Sequence, residues 1–269
     1  MRIDRSTVIG ILIALLGIGA GLMIEGGKLT QVLQPTAALI VFGGTLGAVM
    51  IQFPLSIIWE AVKGLGHVFF NKGTDSQKLI KDLVAYAIRA RKDGIVSLDS
   101  QLATIKDSFL KKSLMLAVDG TEPTELRNIM EVELENLDEH AERVAHVFES
   151  AGGFSPTIGI IGAVLGLIQV MQHLESISEV GKGIAVAFVA TVYGVGSANI
   201  LFLPWAGKLK IKLRQEQVLR EMALEGVISI MEGMNPRMLE TKLSGYLHDK
   251  KSAEQAARGL ATKREPVGA

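Results

Sequence analysis

From Ala151 to Leu174 the chain reads AGGFSPTIGIIGAVLGLIQVMQHL, without a single Asp, Glu, Lys or Arg. About 20 apolar residues suffice for a helix to cross a bilayer, so the stretch is a candidate membrane span. Gly152, Gly153, Gly159, Gly162 and Gly166, with Pro156 near the start, set it apart from a simple anchor. Gly162 and Gly166 form a small-xxx-small pair through which another backbone can approach closely. A second uncharged run, Ile184 to Gly207, follows after the short linker Glu175 to Gly183. The two read as a membrane hairpin built for contact with other helices.

Charge segregation extends this reading to the whole chain. The 28 basic and 28 acidic residues balance, yet they are almost absent from four long windows and crowded between them. The other two windows are Thr7 to Ile24 and Pro35 to Trp59. The first follows Arg2 and Arg5 as a signal peptide would. However, Gly10, Gly17 and Gly21 recur at helical spacing, no small-residue cleavage site precedes a polar start, and another span follows at once. The second carries Gly43, Gly44 and Gly47, with Pro54 and the interfacial candidate Trp59 near its end. With no cysteine in 269 residues, there is no sign of disulfides or thiolate metal sites.

Lysine and arginine near the spans orient them. The loops Glu25 to Gln34 and Glu175 to Gly183 hold only Lys28 and Lys182, whereas the opposite side holds Arg2, Arg5, Lys63, Lys208, Lys210, Lys212 and Arg214. The positive-inside rule then places both termini and the long middle segment in the cytoplasm. The expected architecture is an all-α membrane protein, with four transmembrane helices in two hairpins and a cytoplasmic helical segment between spans two and three. Its segments are a first hairpin over 1–59, a cytoplasmic helical region over 60–150 and a second hairpin over 151–207. A cytoplasmic helical extension over 208–249 and a disordered tail over 250–269 follow.

The middle segment has helical periodicity. Leu79, Ile80, Leu83, Val84, Ala87 and Ile88 repeat at three-to-four spacing after the candidate caps Asp75 and Ser76. Further patterns run through Leu102, Ile105, Phe109, Leu110 and Leu114, and then from Leu126 through Met130, Leu134 and Leu137 to Phe148. Pro123 suits the first turn of that last helix. Lys208 to Met234 continues the fourth span as an amphipathic helix, its first turns basic where an anionic lipid surface would favour them. Leu239, Leu243 and Leu247 suggest one more short helix.

No nucleophile with a base, metal cluster or phosphate loop is visible, so an enzyme is not expected. His67, His140, His146, His173 and His248 do not form a ligand set, and no metal or cofactor is expected. Ion transport through hydrocarbon ordinarily leaves an ionisable residue inside a span, yet none of the four windows holds one away from its ends. Two readings stay open. Either the chain conducts nothing, or the titrating carboxylate belongs to a partner helix lodged against the glycine-rich faces. The polar side chains available to such a partner are Thr157, Thr191, Tyr193, Ser197 and Asn199.

The segments GGFSPTIGIIGAVLGL, AVAFVATVYG and ARKDGIVSLD, occurring in this order of hairpin, helical segment and hairpin, together resemble the MotA/PomA family of flagellar motor stator subunits. GTLGA, DSFLKKSLMLAVDG and MALEGVISIMEGMNPRMLETKL are similar to family segments too, so the resemblance covers nearly the whole chain. It implies a homo-oligomeric ring, a pentamer in the family, in the bacterial inner membrane. The ring would surround a MotB-type single-span partner whose membrane aspartate binds the ion. Torque would pass to the rotor protein FliG, and nucleic acid is not among the partners implied.

The resemblance also implies roles for particular residues. Pro156 and Pro204 match the family's prolines and stand as conformational coupling points. Thr191 matches the threonine facing the ion path, with Tyr193 beside it. Sodium-type members carry a threonine where this chain has Ala163. An alanine offers no oxygen to a sodium ion shedding its water, so H+ is the expected ion and Na+ the alternative. Arg91, with Arg89 and Lys92, matches the rotor-facing basic site, and Asp99 stands where the family has an acidic residue, usually Glu. The alternative readings are an ExbB/TolQ-like proton-channel subunit, which would have three spans, and a non-conducting membrane scaffold.

Overall fold

The computed structural model describes residues 2–71 and 76–246. The expectations for Asp75, Leu247, His248 and the 250–269 tail lie outside the described residues.

The described residues fall into two compact units, one from 2–71 with 140–212 and the other from 76–139 with 213–246. In the first, α1 is Arg5–Ile24, started by Asp4, whose carboxylate accepts the Thr7 amide at 3.3 Å. Such a cap satisfies one of the four free N–H groups of a helix start. The second span, α2, is Pro35–Gln52, with a π-helical turn over Leu39–Gly43. It ends earlier than the uncharged window. Phe53 is extended ahead of Pro54, which also opens the next helix, α3, Leu55–Phe69. Proline disfavours a helical residue before it, and Trp59 therefore sits on α3. A two-residue antiparallel ladder pairs β1, Arg2–Ile3, with β2, Phe70–Asn71. This is the one strand pairing among the described residues of an otherwise helical chain.

In the second unit, α4 is Ser76–Asp93, α5 the single turn Asp99–Leu102 and α6 Ser108–Val118. Gly94 stops α4 with φ +80, a conformation glycine adopts without penalty. Two long helices follow, α7, Pro123–Gln172, and α8, Ile177–Met231. A last helix, α9, occupies 236–246.

Both long helices run without interruption through the point where charged periodicity gives way to apolar sequence. Nothing there caps a helix, since Ser150 and Ala151 to Gly153 all continue it.

The core of the second unit contains periodic residues expected from sequence, including Leu83, Leu114, Leu126, Met130, Leu239 and Leu243, each at most 1% exposed, and adds Leu98, which no pattern had marked. Burying a side chain of this size contributes about 1.5–3 kcal/mol. Ile88 is an exception and faces outward. The first unit shows the opposite pattern. Among the described residues four helices are long and apolar enough to cross a membrane, and α1 buries none of its residues. Ile13, Leu16 and Ile24 are more than 60% exposed. Apolar surface this extensive matches lipid or other membrane helices as neighbours, not water.

Candidate functional site

The third and fourth spans meet along their small residues. A methyl built on Gly159 would lie 2.9 Å from the Ala190 carbonyl oxygen and 3.2 Å from Gly194 Cα. One on Gly194 would lie 2.6 Å from the Ser155 carbonyl oxygen, and one on Gly166 would lie 2.7 Å from that of Gly183. A methyl on Gly162 would lie 2.8 Å from the Ala190 side chain. The backbones therefore touch through residues with no side chain to separate them. Ser155 and Ser197 share a buried hydrogen bond at 2.7 Å across the same seam. The glycine face expected to receive a partner helix is thus occupied by the chain's own fourth span.

Thr191 lies beside this seam, with its Cα 3.5 Å from a methyl built on Gly159. Its hydroxyl donates to the Ala187 carbonyl at 3.2 Å. A threonine that bonds its own preceding turn keeps an oxygen lone pair available. Ala163 is half-buried one helical turn beyond Gly159, and Pro156 lies within α7 against Gly194, 3.2 Å from a methyl built there. The structure therefore brings Pro156, Thr191 and the Gly159–Ala163 turn to one helix pair.

Tyr193 has a different place. Its hydroxyl donates to the Val32 carbonyl at 2.5 Å and accepts the Gln34 amide at 3.3 Å. Its ring stacks on Phe42 with centroids 6.0 Å apart. These contacts tie α8 to the loop of the first hairpin and use the hydroxyl in both its roles. Pro204 follows a π-helical turn over Ala198–Phe202. Proline has no N–H to offer the Ile200 carbonyl and its ring crowds that carbonyl; the wider turn just before it is the kind of local adjustment found at such sites. Next to it, Trp205 makes edge contacts with Phe69, Phe148 and Phe202 at 5.9–6.2 Å.

The basic site lies in the second unit. Arg89, Arg91 and Lys92 are exposed on the last turns of α4, and Asp99 is exposed at the start of α5. Arg89 donates to the Ser100 hydroxyl at 3.3 Å. Among the described residues, Arg91, Lys92 and Asp99 form no ion pair with one another. Their charges are thus presented to whatever meets this surface.

Four charged clusters were not legible in the sequence. Asp4, only 7% exposed, takes Lys208 at 3.0 Å and Lys212 at 3.5 Å. Burial pushes its carboxyl up, but the Ser6 hydroxyl, the Lys208 ammonium and the Thr7 amide outweigh that and hold it below the usual carboxylate range. Lys212 also caps the carbonyls of His67 and Phe70. Glu149 bonds Lys210 at 2.7 Å and His146 at 3.2 Å, and the Lys210 contact above all keeps its carboxyl low. His140 Nε2 lies 2.5 Å from Glu60. In the second unit, Glu225 joins Arg127 at 2.8 Å and Lys242. Burial there is outweighed by those two donors, so the Glu225 carboxyl is also low. The partners stand up to about 200 positions apart, a separation at which helical periodicity says nothing about pairing. Among the described residues no three His, Asp or Glu side chains group as a metal site would require.

The family model described as the MotA/TolQ/ExbB proton channel family matches residues 101–222, and that described as Motility protein A N-terminal matches residues 8–94. Motility protein A of Bacillus subtilis is 37% identical over 264 residues, covering 97% of each chain. Chemotaxis protein PomA of Vibrio alginolyticus is 31% identical, covering 86% of this chain and 90% of its own. The chain belongs to the MotA/PomA family.

Solved structures of this family have the same fold. A chain of the C. jejuni MotAB structure superimposes with a TM-score of 0.85 at 35% identity, covering 90% of this chain and 95% of its own. For the flagellar MotAB stator complex from Bacillus subtilis the TM-score is 0.84 at 36% identity, with coverages of 94% and 100%. As a MotA/PomA protein it is a membrane protein, and its four candidate spans fit that assignment. The segments GGFSPTIGIIGAVLGL, AVAFVATVYG and ARKDGIVSLD are the features through which the sequence expressed this family.

Proposed function

We propose that the chain is a flagellar motor stator subunit that forms, with a MotB-type single-span partner, a proton path whose flow drives torque on the rotor protein FliG. One observation carries the reading. Spans three and four pack backbone to backbone beside Thr191 and offer no Asp, Glu, Lys or Arg between their ends. A titrating carboxylate must then come from another chain, because a proton cannot cross hydrocarbon without a group to carry it. The partner's membrane aspartate supplies that group, and Thr191 hydrogen-bonds it or its water. Ala163 favours protons over sodium, since a methyl cannot replace water around a sodium ion. Pro156, where α7 lacks one backbone bond, and Pro204, beside the π turn, let the inner ends of the spans shift as the carboxylate titrates.

On this reading several copies, five in number, ring the partner in the bacterial inner membrane with both termini cytoplasmic. Arg91 and Lys92, helped by Arg89 and with Asp99 of opposite sign, engage complementary charges on FliG, giving steering and register more than tight binding. The chain performs no covalent chemistry. The likeness to named motility proteins over 86–97% of the chain favours the motor over envelope transport of the ExbB/TolQ kind.

Complementation tests the proposal. Expressed with its partner in a flagellated host lacking its own stators, the chain should restore swimming. A protonophore should stop that swimming, and removing external sodium should not. Failure to restore rotation when both chains are in the membrane would refute the motor reading.

A further inference from the structure

Span one and the π turn of span four line an open cavity of about 400 Å³ within the first unit. Pockets of about 300–1,000 Å³ hold small ligands. Its lining changes character along its length. Ser6 and Lys208 lie at the end near the chain terminus, and Gly10, Ala14, Ile200 and Trp205 line the part that continues along the span. From Ser6 to Ala14 a helix rises about 12 Å, so the cavity runs along span one. Gly10 has nothing within 4 Å of a side chain built on it, which leaves the apolar part open.

The polar end is cationic on balance. The one carboxylate, Asp4, faces Lys208 and Lys212, and Arg5 is exposed beside them with no ion pair among the described residues. Lys208 is the charged residue in the cavity lining; around it Asp4 carries one negative charge against the positive charges of Lys208, Lys212 and Arg5.

We propose that this cavity binds one anionic phospholipid. Its headgroup phosphate meets the Lys208 ammonium, while the Ser6 hydroxyl stays committed to Asp4 at 2.6 Å, and an acyl chain lies along Gly10, Ala14 and Ile200 against Trp205. The amphiphilic lining selects a lipid over a free anion, and the excess positive charge selects an anionic headgroup over a zwitterionic one. The site adjoins Pro204, so an occupant there fills the space into which the π turn would move. The leaflet rests on the orientation proposed above; the chemistry of the cavity does not.

Trp205 is the natural reporter, and Trp59 is the only other tryptophan. The full chain carrying Trp59→Phe is reconstituted with its partner in nanodiscs, and quenching by brominated phosphatidylglycerol is compared with quenching by brominated phosphatidylcholine. The expected result is a preference of about fivefold for the anionic lipid, the size one engaged basic residue supports near a membrane surface. Gly10→Leu, which fills the cavity without touching a charge, should remove that preference while circular dichroism and complex assembly remain unchanged. Equal quenching by the two lipids would mean bulk lipid contact and overturn the proposal. An absence of quenching would mean that a neighbouring copy fills the groove, and would overturn it as well. Since the headgroup comparison uses the unfilled cavity, it decides even where Gly10→Leu does not fold. Quenching is read whether or not the complex conducts, so loss of this site is distinguishable from failure of the motor reading.

Discussion

Replacing Gly194 by alanine places a methyl 2.6 Å from the Ser155 carbonyl oxygen, 3.0 Å from Gly159 Cα and 3.2 Å from Pro156 Cα. All three are backbone atoms, so no side-chain rotation relieves the contact and spans three and four must separate. Overpacking of this kind costs about 1–3 kcal/mol. Separation also stretches the buried Ser155–Ser197 hydrogen bond of 2.7 Å, and such bonds between membrane helices contribute about 0.6 kcal/mol. Alanine returns up to about 1 kcal/mol of helix propensity. With the full propensity gain the net expectation is a loss of about 0.6–2.6 kcal/mol. Gly196→Ala is the control, because a methyl there meets nothing within 4 Å while the propensity gain is the same. Unfolding in mixed micelles should show Gly194→Ala clearly less stable than Gly196→Ala, and swimming in a complemented host should decline with it. Equal unfolding midpoints for the two variants would refute the account of the seam.

Tyr193→Phe removes both hydrogen bonds to the first-hairpin loop and should lower stability by about 1–2 kcal/mol while leaving the ion dependence of swimming unchanged; altered ion dependence would return Tyr193 to the ion path. Glu225→Gln should destabilise the complex by about 2 kcal/mol by weakening the Arg127 and Lys242 contacts. The Glu225 carboxyl is held low in the folded chain, so its contribution is complete above the unfolded glutamate value of about 4.3 and is lost as pH falls through the folded one. Acid unfolding curves should therefore lose part of their slope in Glu225→Gln, and an unchanged slope would show that the pair adds nothing. Arg91→Glu should abolish torque in tethered cells while membrane assembly remains intact, since Arg91 is exposed and outside the core; loss of assembly would assign it a folding role.

The membrane helices were legible because uncharged windows of spanning length have few alternatives, and the core of the second unit because its leucines recur at helical spacing. Where sequence reasoning fell short, the cause was pairing across distance. Gly159 and Gly166 announced a close contact but not that Gly194 and Gly183 would make it. Tyr193 carried a hydroxyl at a promising depth, and nothing local disclosed that Val32 would accept it. Asp4 stood out in no local pattern, and its neighbours include Lys208 and Lys212 from the far end of span four. The break at Phe53–Pro54 was foreseeable from the proline alone.

Ion flux in vesicles tests most directly the claim that the titrating group belongs to another chain. Vesicles holding this chain and its partner should acidify under an imposed potential with sodium replaced by potassium. Flux should vanish when the partner's membrane aspartate is changed to asparagine or when either chain is omitted. Proton flux through this chain alone, or flux that persists with the neutralised partner, would contradict the account.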